Sequence, residues 1–295
     1  MSFISRTGDS VTQPGTLFLC PTPLGNLEDM TFRTVRILKE AAAIAAEDTR
    51  HTIKLLNHFD IHAPLISYHE HNKAERGPGI INRLLRGDNI ALVSDAGMPG
   101  ISDPGMDLVR LAIEENIPVV PLPGANAALT GLIASGLDTT MFTFVGFLPK
   151  TNKHRRELLA KLAKHPYTMV FYEAPHRVRN TLDEITNVFG DRPAVAAREL
   201  TKKFEEFIRG SLTTVIQHFV ENQPRGEFTL IVAGSHGDIE TVQEADSLVG
   251  LDIVQAVAEL ISRGVNKKDA IREVASQKGL PKRQVYQTIL ESNLN

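Results

Sequence analysis

The sequence predicts an α/β protein: two α/β domains with a cleft between them, then a small helical C-terminal appendage. Three observations carry that expectation. From Thr16 to Ala233, short apolar runs alternate with longer amphipathic stretches. Gly, Pro and charged residues gather immediately after the apolar runs, at the carboxyl ends of the expected strands, where open α/β sheets bind ligands. From Leu251 onward, only short helical stretches remain.

The elements follow in order. Thr16–Cys20 reads as a strand running into the turn PTPLGN. Asp29–Glu40 reads as a helix, with Thr31 as a cap and Phe32, Val35 and Leu38 at helical spacing. Ala43–Ala46 is a strand ending at EDTRH, and Ile80–Leu85 a helix stopped by Gly87. Asn89–Ser94 is a strand ending at DAGMPGISDPG, and Leu108–Glu115 a helix. Pro118–Leu122 is a strand ending at PGAN, followed by the helix Ala127–Ser135.

The second half continues with the strand Phe142–Phe147 and the basic helix Lys153–Lys164. Thr168–Tyr172 is a strand ending at EAPHR, and Arg177–Phe189 a helix stopped by Gly190. Ala194–Ala197 pairs with Phe204–Arg209 across RELTKK; the helix Leu212–Val220 and the closing strand Glu227–Ala233 complete the half. The expected organisation is a mobile tail over 1–13, α/β domains over 14–137 and 138–235, an acidic linker over 236–250 and a helical domain over 251–295. That last domain reads as three helices broken around Gly264 and Gly279–Pro281.

Composition narrows the function. Hydrophobic residues make up 42% of 295, enough to build cores and to exclude disorder as the main state. A single cysteine, Cys20, excludes an intramolecular disulfide scaffold and fits a reducing cytosol. No apolar run is long enough to span a bilayer, so no membrane partner is expected, and the first residues do not read as a signal peptide. The net charge of −3 hides two basic islands. One runs from Lys150 to Lys164; the other lies in the tail, with Lys267, Lys268, Lys282 and Arg283. Such islands suit local docking of a polyanion or two solvated helix faces, not a non-specific nucleic-acid coat.

The chemistry is expected in six segments: PTPLGNLED, AEDTRH, SDAGMPGISDPG, PLPGAN, FYEAPHR and ARELTK. They are denser in special residues than simple connections need. The motifs G-x-G-x-x-G, G-x-x-x-x-G-K-[ST] and G-x-S-x-G are all absent. A dinucleotide cradle, a P-loop and a hydrolase elbow are therefore unsupported. His69-Glu70-His71 lacks metal-site spacing, and His51 and His176 are weak acid–base candidates. Two charged clusters stand out: Glu47, Asp48 and Arg50; and Glu173, Arg177, Arg198, Glu199 and Lys202.

Taken in order, these six strings resemble the ribosomal RNA small subunit methyltransferase I family, the 2′-O-ribose cytidine methyltransferases of the tetrapyrrole-methylase superfamily. The resemblance runs from about Gly15 to Gly234 and extends into the tail. It implies a two-domain fold of tetrapyrrole-methylase type, a homodimer, and S-adenosylmethionine bound in the cleft. Carried over by position, it implies cofactor contacts at Leu24, Ser94, Asp95, Met98, Asn126, Ala127, Tyr172, Leu200 and Thr229. The chain departs from the family at Met98, often Thr there, and at Ala125-Asn126, often Pro-Ser.

Such a donor needs no pyrophosphate cradle, and methyl transfer requires no metal. Its catalysis rests on holding acceptor oxygen, methyl carbon and sulfur in line. A ribose hydroxyl is a poor nucleophile, so a base or a nearby cation assists. Glu173, Glu199 and Asp48 are candidate proton acceptors; Lys202, Arg198 and Arg50 are candidates to favour the alkoxide or hold a flanking phosphate. The acceptor implied is small-subunit ribosomal RNA or the assembled small subunit, in the cytoplasm. A tetrapyrrole methyltransferase and a non-catalytic ribosome-assembly factor remain as alternatives.

The islands have a place in this reading. Lys153, Arg155 and Arg156 are expected to meet phosphates, and so is the last tail helix, which starts at Pro281. Packing or capping is the alternative role for the tail. Deleting Leu251–Asn295 is expected to weaken RNA binding while leaving donor affinity nearly intact, as read by parallel titrations of the two ligands.

Overall fold

The computed structural model describes residues 13–235, 251–262 and 265–292. The expected tail, save Gln13, the acidic linker over 236–250 and the break at Gly264 lie outside the described residues. The chain divides into two compact units, Met1–Gly234 and Ser235–Asn295.

The first unit holds two five-stranded sheets. The first sheet comprises β1 (Leu17–Leu19), β2 (Ala43–Ala46), β3 (Leu65–Ser67), β4 (Ile90–Val93) and β5 (Val119–Pro121). All are parallel, in the order β3-β2-β4-β1-β5. Central β2 and β4 (AIAA and IALV) are buried along their whole length, because helices cover both faces of the sheet. On one face α1 (Phe32–Glu40) and α2 (Thr49–His58) pack Ile37, Leu38 and Leu56 against Ile44, Val93 and Cys20. On the other, α3 (Lys73–Leu85) and α4 (Gly105–Glu114) pack Ile80, Leu84 and Leu108 against Leu17 and Leu92. Cys20 is fully buried, and burial pushes its thiol up to about 12.

The second sheet is mixed. Its strands are β6 (Phe142–Phe147), β7 (Thr168–Glu173), β8 (Pro193–Arg198), β9 (Glu206–Ser211) and β10 (Phe228–Val232), in the order β6-β7-β10-β8-β9. β6 runs parallel to β7, and the other pairings are antiparallel. The expected pairing of β8 with β9 is present, and β10, last in the chain, lies at the centre. Helices α6 (Asn152–Leu162), α7 (Val178–Phe189) and α8 (Leu212–Glu221) bury Leu159, Leu182, Ile185 and Val215 against one face. The opposite face is covered by α5 (Ala127–Ile133), whose Ala128 and Leu132 pack on Val170, Val195 and Ile231. So α5, which precedes residue 137 in sequence, packs on the second sheet.

Three features differ from the sequence expectation. α2, where no helix was expected, begins inside the EDTRH segment, and Asp48 caps it by accepting the Arg50 N–H at 2.8 Å. β3, only three residues long, was not expected. α3 starts at Lys73, seven residues before the expected Ile80, and carries the exposed Pro78 within it.

One basic residue of the α6 island turns inward. Arg155 is 9% exposed, and its guanidinium donates to both oxygens of Glu184 at 2.5 and 2.6 Å and to the Pro149 and Lys150 carbonyls. That network joins α6 to α7 and corrects the expectation that Arg155 meets phosphate. Lys150, Lys153 and Arg156 are exposed.

In the second unit the helices Ile253–Ser262, Lys267–Gln277 and Lys282–Glu291 bury a core of Ala256, Val257, Ile271, Val274, Val285 and Ile289. Lys268, Lys282 and Arg283 are exposed there. Among the described residues no helix is long and apolar enough to cross a membrane.

Candidate active site

The loops that leave the strand ends enclose a cavity of about 430 Å³ between the two sheets of the first unit. All nine residues expected at a cofactor line it: Leu24, Ser94, Asp95, Met98, Asn126, Ala127, Tyr172, Leu200 and Thr229. Of the six expected in catalysis, Glu173 and Lys202 line it; Asp48, Arg50, Arg198 and Glu199 do not.

The first wall comes from the loops after β1, β2 and β4. Thr22 and Gly97 exchange both backbone hydrogen bonds, at 2.9 and 3.0 Å, and the Thr22 hydroxyl donates to the Ser94 carbonyl at 3.0 Å. Ser94 Oγ donates to the Gly97 carbonyl at 3.1 Å, so this hydroxyl shapes the loop. Asp103 accepts the Gly100 and Gly105 N–H groups at 2.8 and 2.7 Å, which folds the loop back to start α4. Asp95 Oδ1 accepts the Asp48 N–H at 3.0 Å and ties the β4 loop to the β2 loop.

Glu47, which the sequence reading grouped with Asp48 and Arg50, stands apart from both. It lines the cavity and makes no hydrogen bond or ion pair among the described residues. Burial raises its carboxyl above the ordinary range, and Asp95, Asp103 and Asp48 push it the same way. Asp48 is engaged instead with Arg50, which holds its carboxyl low. The Arg50 side chain is 89% exposed.

The second wall comes from α5 and the second sheet. Asn126 caps α5 by accepting the Leu129 N–H at 3.0 Å. Tyr172 Oη accepts the Ala128 N–H at 3.1 Å, pinning the ring between helix and strand. Glu173 is buried, and its oxygens accept the Ala174 N–H at 2.9 Å and the Thr181 hydroxyl at 2.6 Å, with Arg177 at 3.5 Å. Its carboxylate is thus committed to the start of α7. Arg198 pairs with Glu206 at 3.1 Å, away from the cavity.

Lys202 carries the positive charge of this wall. Its Nζ donates to Glu199 Oε1 at 2.9 Å and to Glu227 Oε2 at 3.1 Å. Burial works against charge on both Lys202 and Glu199. Burial is the largest single influence on each, and only their mutual hydrogen bond together with the contacts to Glu227 and the attraction between opposite charges outweighs it, so the lysine sits above and the carboxyl below its ordinary value. The pair is ionised at neutral pH. Glu199 and Thr201 hold positive φ, at 50° and 66°, a strained turn that aims the lysine inward. Gly226 seats the pair from below: at φ +79°, a Cβ there falls 2.4 Å from Glu199 Cδ. The Lys202 stem lies equally close over Gly25.

Among the cavity residues that the sequence reading did not select are three carboxylates, Glu47, Asp103 and Glu227, and one aromatic ring, Phe147. Glu47 lies within a noticed charged string, where Asp48 and Arg50 drew the selection; Glu227 immediately precedes β10 and has no local signal. His69-Glu70-His71 instead joins the turn into α3, where the His69 N–H donates to Asn72 Oδ1 at 2.8 Å and Glu70 pairs with Lys73.

Residues 16–216 match the family model of the tetrapyrrole (corrin/porphyrin) methylases. The chain belongs to the tetrapyrrole methylase family. With that membership goes the reaction class: it is a methyltransferase. A protein of Halalkalibacterium halodurans named ribosomal RNA small subunit methyltransferase I is 53% identical over 92% of this chain and 93% of its own. Proteins of the same name from Bacillus subtilis and a Synechocystis species are 51% and 48% identical, over 92% and 94% of this chain and 93% and 98% of theirs. Among solved structures, uroporphyrin-III C-methyltransferase of Thermus thermophilus, complexed with S-adenosylhomocysteine, shares the tetrapyrrole methylase fold. Its TM-score is 0.54 at 19% identity, covering 74% of this chain and 97% of that one.

Gly226→Ala is expected to displace Glu199 and with it Lys202. Turnover should fall on the order of tenfold to a hundredfold. Far-ultraviolet circular dichroism, unchanged, should show the fold retained.

Proposed function

We propose that this protein transfers the methyl group of S-adenosylmethionine to the ribose 2′-hydroxyl of a cytidine in small-subunit ribosomal RNA, as a cytoplasmic homodimer. The observation that carries the reading is half-identity, along more than nine-tenths of the chain, to proteins named ribosomal RNA small subunit methyltransferase I.

The cavity fits such a donor. S-adenosylmethionine presents a sulfonium, an ammonium, a carboxylate and an adenosine. Leu24, Met98 and Leu200 offer apolar wall, Asp95 a carboxylate for a cation, and the Asn126 amide and Tyr172 hydroxyl offer donors. When bound, the donor supplies an electrophilic methyl group on positively charged sulfur.

The chain's own residues then handle the acceptor. Of the cavity carboxylates, Glu173 is spent on the start of α7, Glu227 is bound to Lys202, and Asp95 and Asp103 accept backbone N–H groups that tie the loops. Glu47 keeps its lone pairs, and its raised pKa suits a general base. Glu47 accepts the proton of the 2′-hydroxyl. Lys202 has three N–H donors, two of them engaged, and the third faces the negative charge developing on oxygen.

The test is methyl transfer from labelled donor to undermodified small ribosomal subunits, followed by digestion of the RNA. Labelled 2′-O-methylcytidine is the expected product; label appearing only in a parallel tetrapyrrole incubation overturns the reading. Within it, Glu47→Gln is expected to lower kcat by about a hundredfold or more. Donor Kd should change little. In the wild type the rate rises with pH as Glu47 loses its proton, above the ordinary carboxylate range; that limb should vanish from the variant's kcat profile.

A further inference from the structure

Strand β6 is irregular at one place. Its pairing with β7 is regular to Phe144↔Val170, then skips Val145 and resumes at Gly146↔Phe171 and Phe147↔Tyr172. In unbroken alternation Phe147 falls on the face of Val145, which packs into the core beneath α6, α7 and α8. The extra residue turns it over. Phe147 shares the face of Phe144 instead, and both rings meet Tyr172 edge-on, with centroids 5.1 and 5.6 Å away. Gly146 makes the turn at φ +71°, and a Cβ there falls 3.1 Å from Ser102 Oγ on the facing loop.

The outcome is an aromatic ring lining the cavity and 54% exposed. Leaving such a ring outside a core forgoes about 1.5–3 kcal/mol of burial. Bulges beside active sites re-aim side chains in this way. The same segment runs on at once into exposed cations: Lys150 in the loop, then Lys153 and Arg156 in the first turns of α6, with Glu157 as the adjacent acid. An exposed ring followed by a short run of cations is the chemistry of single-stranded nucleic acid, bases stacked on aromatics and phosphates on a basic groove.

Resting on the methyl-transfer reading above, we propose that Phe147 is the stacking platform for the acceptor nucleobase, held by a single-stranded RNA segment whose phosphates lie along Lys150, Lys153 and Arg156. The tyrosine beside it is tied to α5 through its hydroxyl and half-buried; the phenylalanine stands further out, where an incoming base arrives. Face-on stacking takes any base, so Phe147 positions the nucleotide and does not by itself choose cytosine.

The experiment uses full-length protein, undermodified small subunits and labelled donor. Phe147→Ala and Phe147→Leu are expected to raise the KM for the subunit about tenfold or more. Donor Kd, by equilibrium titration, should stay within about twofold. Phe147→Trp should recover most of the lost affinity, because it restores a π face where leucine restores only apolar bulk. The chain contains no tryptophan, so this variant also carries a single indole fluorophore. Added RNA should quench it, and donor alone should not. Full activity in Phe147→Leu overturns the proposal, since packing alone then suffices. A parallel loss of donor affinity also overturns it, placing the donor's adenine on the ring. If the wild-type protein methylates no RNA, the methyl-transfer reading itself fails; if the wild type is active and the variants match it, only this inference falls.

Discussion

The cavity depends on a small antiparallel bridge between two loops. Thr22 and Gly97 pair through their backbones just beyond β1 and β4, which are themselves neighbours in the first sheet. This pairing holds the PTPLGN and SDAGMPG segments together above the strand ends. Asp95 then ties the second of these to the β2 loop, and Asp103 closes its far end. Each hydrogen bond is worth only about 1 kcal/mol. Together they turn three flexible connections into one wall.

The two walls differ in charge: the first presents carboxylates alone, the second a lysine set among carboxylates. Glu47, Asp95 and Asp103 face the cavity from the first sheet, whereas Lys202 faces it from the second. Burial first, and then the carboxylates around it, make Glu47 resist ionisation, and a lysine between two carboxylates keeps its proton. One side is therefore suited to receive a proton, the other to face an anion. The strained turn at Glu199 and Thr201 is the local cost of that placement.

Much of this was legible in the sequence because strands and their terminal loops have strong local signatures. The six dense segments all follow strands or lead into the cavity walls, and every described strand but β3 falls where apolar runs predict it. What escaped reading had weak or conflicting signatures. Asp48 is both loop and helix cap, so the loop concealed the whole of α2. A three-residue strand such as β3 has too little length for alternation to show. The Gly-Pro-Gly within α3 imitates a turn, although Pro78 sits on an exposed side of a helix whose other residues pack. At the site, direction was the missing quantity. Sequence placed Arg155 and Glu173 near the right loops, but only packing reveals that both charges point inward to α7 partners. The cavity role of Glu227 depends on contact with residues 25 positions away along the chain.

The buried position of Cys20 bears on self-inflicted damage. A sulfonium reagent alkylates whichever soft nucleophile it meets, and a thiolate outcompetes a sugar hydroxyl by a wide margin. The single sulfhydryl of this chain lies immediately before the PTPLG loop, fully enclosed by aliphatic neighbours and held as the neutral thiol. A protein built to handle an alkylating agent thus keeps its own most reactive group out of reach and unionised.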